Sequence, residues 1–122
     1  KCTGDSYRLN ATRDISTLGS WDIWGDYYVG TNDPAFPWIS PLYGDLHGLP
    51  PILIEVGDHE ILLDDSRQFA EKARAAGVDI TLRVWEGMVH CFPLLAPMFP
   101  EASLAWDETV DYIRSRLQMG IS

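Results

Sequence analysis

The run Ile52-Leu53-Ile54-Glu55-Val56-Gly57 constrains this chain more than any other stretch. It is short, almost wholly apolar, and bounded by Pro50-Pro51 ahead and Gly57-Asp58 behind. A strand with one wet face alternates, so this run reads as a mostly buried strand over 52–57. The period then changes. Phe69, Ala70, Ala73 and Ala76 fall on one face of a helix over 65–76, capped by Asp64 or Asp65 and closed by Gly77. Acidic residues at that start also suit the helix dipole. Ile80-Thr81-Leu82-Arg83-Val84-Trp85 mostly alternates, which predicts a second strand over 80–85 at or near a sheet edge. A last helix is expected over 101–117, with Trp106, Val110, Ile113 and Leu117 along its buried face. The order is strand, helix, strand, helix: a βαβα unit of the α/β class, its strands parallel. Two parallel strands do not complete a sheet, because they require neighbours and helices on both faces. The strand at 52–57 is also too apolar for an exposed edge.

The rest of the chain carries weaker signals. Residues 1–20 read as irregular and polar. Ser20 would cap a short helix through Trp21, Trp24 and Tyr28, ended by Gly30. That aromatic stripe reads first as a packing face and second as a substrate-facing wall. Residues 31–51 are dense in turn formers, with Phe36, Trp38 and Tyr43 threaded through them, and read as a loop packed on something else. At 122 residues the chain is one domain at most: an irregular segment with a short helix over 1–51, then the βαβα unit over 52–122.

In open α/β sheets, ligands bind beyond the carboxyl ends of the strands. The loop after the first strand holds Asp58, His59 and Glu60; the loop after the second runs from Glu86 through Gly87 to His90. Alone, His90 reads as a buried structural histidine and Glu60 as a solvated carboxylate. At one sheet rim they read together as a base and its orienting acid. The carboxylate fixes the imidazole tautomer and stabilises the imidazolium that forms on proton transfer. His59 reads as exposed and inert. A metal site from Asp58, His59, Glu60 and Asp64 has permissive ligand types but no standard zinc spacing. Cys91 as a nucleophile is disfavoured, since adjacent side chains rarely aim at each other.

Leu49-Pro50-Pro51 through Ser66, Ala75-Ala76-Gly77-Val78 and Trp85-Glu86-Gly87-Met88-Val89-His90 together resemble the C-terminal part of bacterial esterases of the hormone-sensitive lipase family, which are α/β-hydrolases. Cys2-Thr3-Gly4-Asp5-Ser6-Tyr7 and Ser40-Pro41-Leu42-Tyr43 look like that family too. The resemblance implies an eight-stranded sheet of which this chain supplies the last two strands. Aligned on the Leu62-Leu63-Asp64 that trails it, it puts the catalytic acid on Glu60, with Asp58 as runner-up, and the catalytic histidine on His90. It implies hydrolysis of carboxylic esters with short or medium acyl chains, without a metal or organic cofactor. The sequence departs from the family in lacking a G-x-S-x-G nucleophile elbow and an H-G-G-G oxyanion motif. Gly4-Asp5-Ser6-Tyr7-Arg8 comes nearest to the elbow but lacks its second glycine. The chain alone is therefore expected to be inactive.

Composition bounds the partners. A net charge of −9 repels phosphate backbones, which argues against nucleic acid. No apolar run is long enough to span a membrane, and no basic-then-apolar leader opens the chain. The start at Lys1 reads as a cut or internal start. Cys2 and Cys91 read as free thiols in a reducing, cytoplasmic setting, with Cys91 buried beside Phe92 and Met88. The expected partners are a small ester substrate and cover for the open strand edge. The N-terminal part of the hydrolase, or a swapped copy in a homo-oligomer, would provide that cover. The rival reading is a non-catalytic α/β module that binds another protein through the same edge.

Overall fold

The computed structural model describes residues 4–16 and 18–119. They fall into two compact units, Lys1–His90 and Cys91–Ser122. The first unit contains α1 (Asp5–Leu9), α2 (Leu18–Val29), a 3-10 turn at Pro41–Tyr43, β1 (Ile52–Gly57), α3 (Leu63–Ala75) and β2 (Ile80–Trp85). β1 and β2 pair in parallel, from Ile52 opposite Ile80 to Gly57 opposite Trp85. The ladder continues past both ends. The Ile52 amide donates to the Asp79 carbonyl at 2.9 Å, and the Asp58 amide to the Trp85 carbonyl at 3.0 Å. The two strands thus end level, and the loops that follow them leave the sheet side by side.

α3 fills the crossover. Ala70 and Ala73 are wholly buried in a core with Leu46, Val78 and Ile80, and Ile52, Ile54, Phe69, Ala76 and Leu82 pack around it. Residues two apart on a strand share a face, so Ile52 with Ile54 and Ile80 with Leu82 form the floor under the helix. Alanine on the helix side lets the backbone lie close to that floor. Each Val, Leu or Ile fully withdrawn from water contributes about 1.5–3 kcal/mol. β1 is less buried than its composition predicts: only Val56 and Gly57 are fully enclosed. Among the described residues the sheet has two strands, so β1 has a neighbour on one side only.

The ends of α3 are set differently. Gly77, at φ +78°, takes the left-handed turn that an alanine resists. Its amide donates to the Arg74 carbonyl, and the Val78 amide to the Ala73 carbonyl, both at 2.9 Å. That pair of bonds is a Schellman motif, and Val78 and Ala73 close it inside the core. The expected cap by Asp64 or Asp65 is corrected: both lie in the first turn, and the N-cap position is Leu62, with no side-chain cap of its own. Ser6 supplies the cap from α1. The Asp64 amide donates to Ser6 Oγ at 3.2 Å, and the Ser6 amide donates to Asp64 Oδ2 at 2.9 Å. This is the reciprocal exchange of a capping box, made across 58 residues. α1 itself was not foreseen in the polar opening segment.

α2 begins at Leu18, ahead of Ser20, and ends before Gly30 at φ +55°. Trp24 and Tyr28 are exposed, so their expected packing face is uncovered by the described residues of this unit; the Trp21 side chain lies outside the described residues. In the loop before β1, Lys72 Nζ donates to the carbonyls of Leu42 and Gly44, which ties the turn to α3. Asp45 accepts from the His47 amide and ring, and these bonds hold its carboxyl below the usual range.

The second unit holds a 3-10 turn at Phe92–Leu95 and α4 (Pro100–Met119). Phe92, Ala102 and Ala105 are buried, and Trp106 Nε1 donates to the Pro93 carbonyl at 2.7 Å. The expected buried face of α4 is corrected: Trp106, Val110, Ile113 and Leu117 are 38–65% exposed. Here the helix buries its small residues, and no described residue of the unit covers the larger apolar ones. Cys91 was expected to be buried. It is exposed, in the left-handed conformation at φ 57° that opens the turn. Cys2 lies outside the described residues.

Candidate active site

β1 ends at Gly57, and the chain turns over Asp58 and His59 to reach Glu60. The Glu60 amide donates to the Gly57 carbonyl at 3.2 Å, and the Gly57 amide donates to Glu60 Oε1 at 2.7 Å. The side chain thus folds back on its own turn. Glu60 is 5% exposed, and an ionised carboxylate that deep requires donors. Its second oxygen, Oε2, lies 2.9 Å from His90 Nδ1. A carboxylate only accepts, so Nδ1 carries the proton and Nε2 is left as the acceptor of that tautomer. The His90 side chain is 28% exposed, which leaves the ring within reach of a reacting group.

The loop carrying His90 is fastened from three directions. Gly87, at φ +72°, makes its tight turn. Asp58 Oδ1 accepts from the Gly87 amide at 2.7 Å. The Met88 carbonyl accepts from the His59 amide at 3.1 Å and lies so close to Gly57 that no Cβ fits there. Asp58 therefore clamps the loop and does not face His90. His59 is part-exposed, its Nε2 3.9 Å from Asp58.

Three residues of the opening segment complete the site, and sequence reasoning passed over two of them. Buried Asn10 donates from Nδ2 to the carbonyls of Asp58 at 2.8 Å and Glu60 at 2.9 Å. Asp14 accepts from the Ile61 amide at 2.9 Å and from the His90 amide at 3.0 Å. A short polar side chain in a polar stretch carries no local mark of a partner 47 to 76 residues away, so no spacing pattern reveals either residue. The third is Ser6, of the near-elbow. It is buried, and its hydroxyl donates to the Ile61 carbonyl at 2.6 Å. That proton is committed to structure. Among the described residues no cluster of three or more His, Cys, Asp or Glu could hold a metal ion.

Parallel strands, a crossover helix and an acid–imidazole pair at their carboxyl rim define a class. A family model described as the alpha/beta hydrolase fold matches residues 1–94, and the chain belongs to that family. It is 34% identical to an acetyl-hydrolase of Streptomyces hygroscopicus over 98% of this chain and 40% of that protein. It is 38% identical to an esterase of Acinetobacter venetianus over 93% of this chain and 38% of that one. A solved esterase of the bacterial hormone-sensitive lipase family superposes with a TM-score of 0.90 at 41% identity, covering 93% of this chain and 39% of its own. The resemblance read from the motifs is therefore shown, and the structure is a partial α/β-hydrolase domain. The chain spans about two fifths of the length of these relatives.

Proposed function

We propose that this chain supplies the histidine and the orienting acid of a carboxylic ester hydrolase acting on short to medium acyl chains. His90 is the general base toward a serine, and Glu60 holds its tautomer. The serine and the oxyanion donors come from sequence outside these 122 residues, which contain neither G-x-S-x-G nor H-G-G-G. In the reaction, His90 Nε2 takes the serine proton as the oxygen attacks the ester carbonyl, then returns it to the leaving alcohol. Glu60 stabilises the imidazolium in between. The observation that carries this reading is the 2.9 Å contact between Glu60 Oε2 and His90 Nδ1 in a carboxylate otherwise satisfied by backbone. An interaction module has no need of such a pair at its rim. No described helix is long and apolar enough to cross a membrane. The exposed thiol of Cys91 suits the reducing cytoplasm.

The test uses the intact natural protein with p-nitrophenyl butyrate. His90→Ala should lower kcat by roughly three to six orders of magnitude with the fold intact. Glu60→Gln should lower it by roughly two to four, because an amide can present its NH2 to Nδ1 and select the wrong tautomer. Near-wild-type turnover by His90→Ala would refute the assignment.

A further inference from the structure

The acid and the histidine sit on separate loops, and the contact between them is a single bond. Something must set the distance between the two backbones. Asp14 is the one described side chain given bonds to both. Oδ2 accepts from the amide of Ile61, the residue after Glu60, and Oδ1 from the amide of His90 itself, at 2.9 and 3.0 Å. The two oxygens of one carboxylate are rigidly spaced, so the two amides are held at a fixed separation. Both bonds are charge-assisted, which makes them stronger and shorter than neutral ones. Asn10, four residues earlier, holds the other side of the acid loop through the Asp58 and Glu60 carbonyls. The polar segment ahead of α2 thereby grips the acid loop through both donors and acceptors. It reaches the histidine loop through Asp14.

We propose that Asp14 is a positioning residue for the esterase, bridging the acid and histidine loops so that Glu60 and His90 meet in register. It touches neither substrate nor reacting atoms and acts through the two residues it spaces. The proposal rests on the hydrolase reading for its kinetic arm, and its spectroscopic arm stands apart from that reading. Asp14→Asn keeps the volume of the side chain but offers one acceptor oxygen, and it turns an NH2 toward one of the two amides. One loop is released while the fold has little cause to fail.

The experiment compares Asp14→Asn with Lys72→Met in the intact natural protein. Lys72 ties α3 to the 41–44 turn, away from the acid–imidazole pair, and serves as the control for simple destabilisation. Since a misplacement of about 1 Å can cost about 100-fold in rate, Asp14→Asn is expected to lower kcat about 10- to 100-fold, with KM for p-nitrophenyl butyrate changed less than about twofold. The downfield proton resonance of His90 Nδ1–H against Glu60 should broaden or move upfield. Lys72→Met should leave both readouts at wild type. Wild-type kcat, or an unmoved resonance, in folded Asp14→Asn would overturn the proposal. If Asp14→Asn does not fold, Asp14→Glu replaces it. That variant keeps both oxygens on a longer arm, and an unmoved resonance there would overturn the proposal equally. A resonance that responds to Asp14 in a protein with no ester hydrolysis would support the positioning role and sink the hydrolase reading alone.

Discussion

At Gly57 three demands meet on one residue. It ends β1, its amide anchors Glu60 Oε1, and the space where a Cβ would stand is filled by the Met88 carbonyl. Met88 is two residues from His90, so a side chain at 57 pushes directly on the histidine loop. The obstacle is backbone, which cannot swing aside as a long side chain can. Gly57→Ala should therefore cost about 1–3 kcal/mol of stability, the usual range for overpacking. It should also lower kcat about 100-fold, in line with a displacement of about 1 Å at the site. Thermal unfolding and ester hydrolysis on the same preparation check both halves, and an unaltered kcat would mean that the loop relaxes without moving His90. Glu60 shows the same economy of position. Each of its two oxygens has a separate task, one bond to its own turn and one to the imidazole, and both were invisible to a reading that saw only a carboxylate after a strand.

The four main secondary-structure elements were legible because each has its own period. β1, α3 and β2 lie where apolar runs, helical spacing and a closing glycine place them. What the period does not encode is whether a partner for an apolar face belongs to the same unit. Trp106, Val110, Ile113 and Leu117 form a correct helical stripe, yet they are open to solvent while Ala102 and Ala105 are buried. Caps made from afar are equally silent in sequence: Ser6 looks like a loop serine and works as the cap of α3. Glu60 and His90 were legible as candidates because strand ends mark a rim. Asn10 and Asp14 were not, because nothing about them is periodic. The tightness of α3 on the sheet gives the prediction at this scale. Ala73 has no exposed surface, so Ala73→Leu has no room to fill. It should destabilise the intact protein by about 1–3 kcal/mol, read as a lowered denaturation midpoint at unchanged m-value. A gain in stability would mean that the interface carries a void.

For the whole molecule, the open side of β1 and the absent elbow lead to one joint expectation. The 122-residue chain on its own should hydrolyse p-nitrophenyl butyrate no faster than free imidazole does. By light scattering it should be heavier than its 13.7 kDa monomer. An unpaired backbone edge beside apolar side chains recruits another strand. A clean monomer with saturable turnover abolished by one of its own serines would overturn the fragment reading and the proposed division of labour. The long-range fastenings of the site bear on how the protein comes into being. His90 is tied to Asp14 across 76 residues and to Glu60 across 30. Closing loops of that length costs chain entropy, and such contacts form after local helices and turns have set. The imidazole is thus among the last groups to be put in place. A chain still emerging from the ribosome carries the histidine long before it carries a base aimed at anything, and the first breath of local unfolding disarms it again.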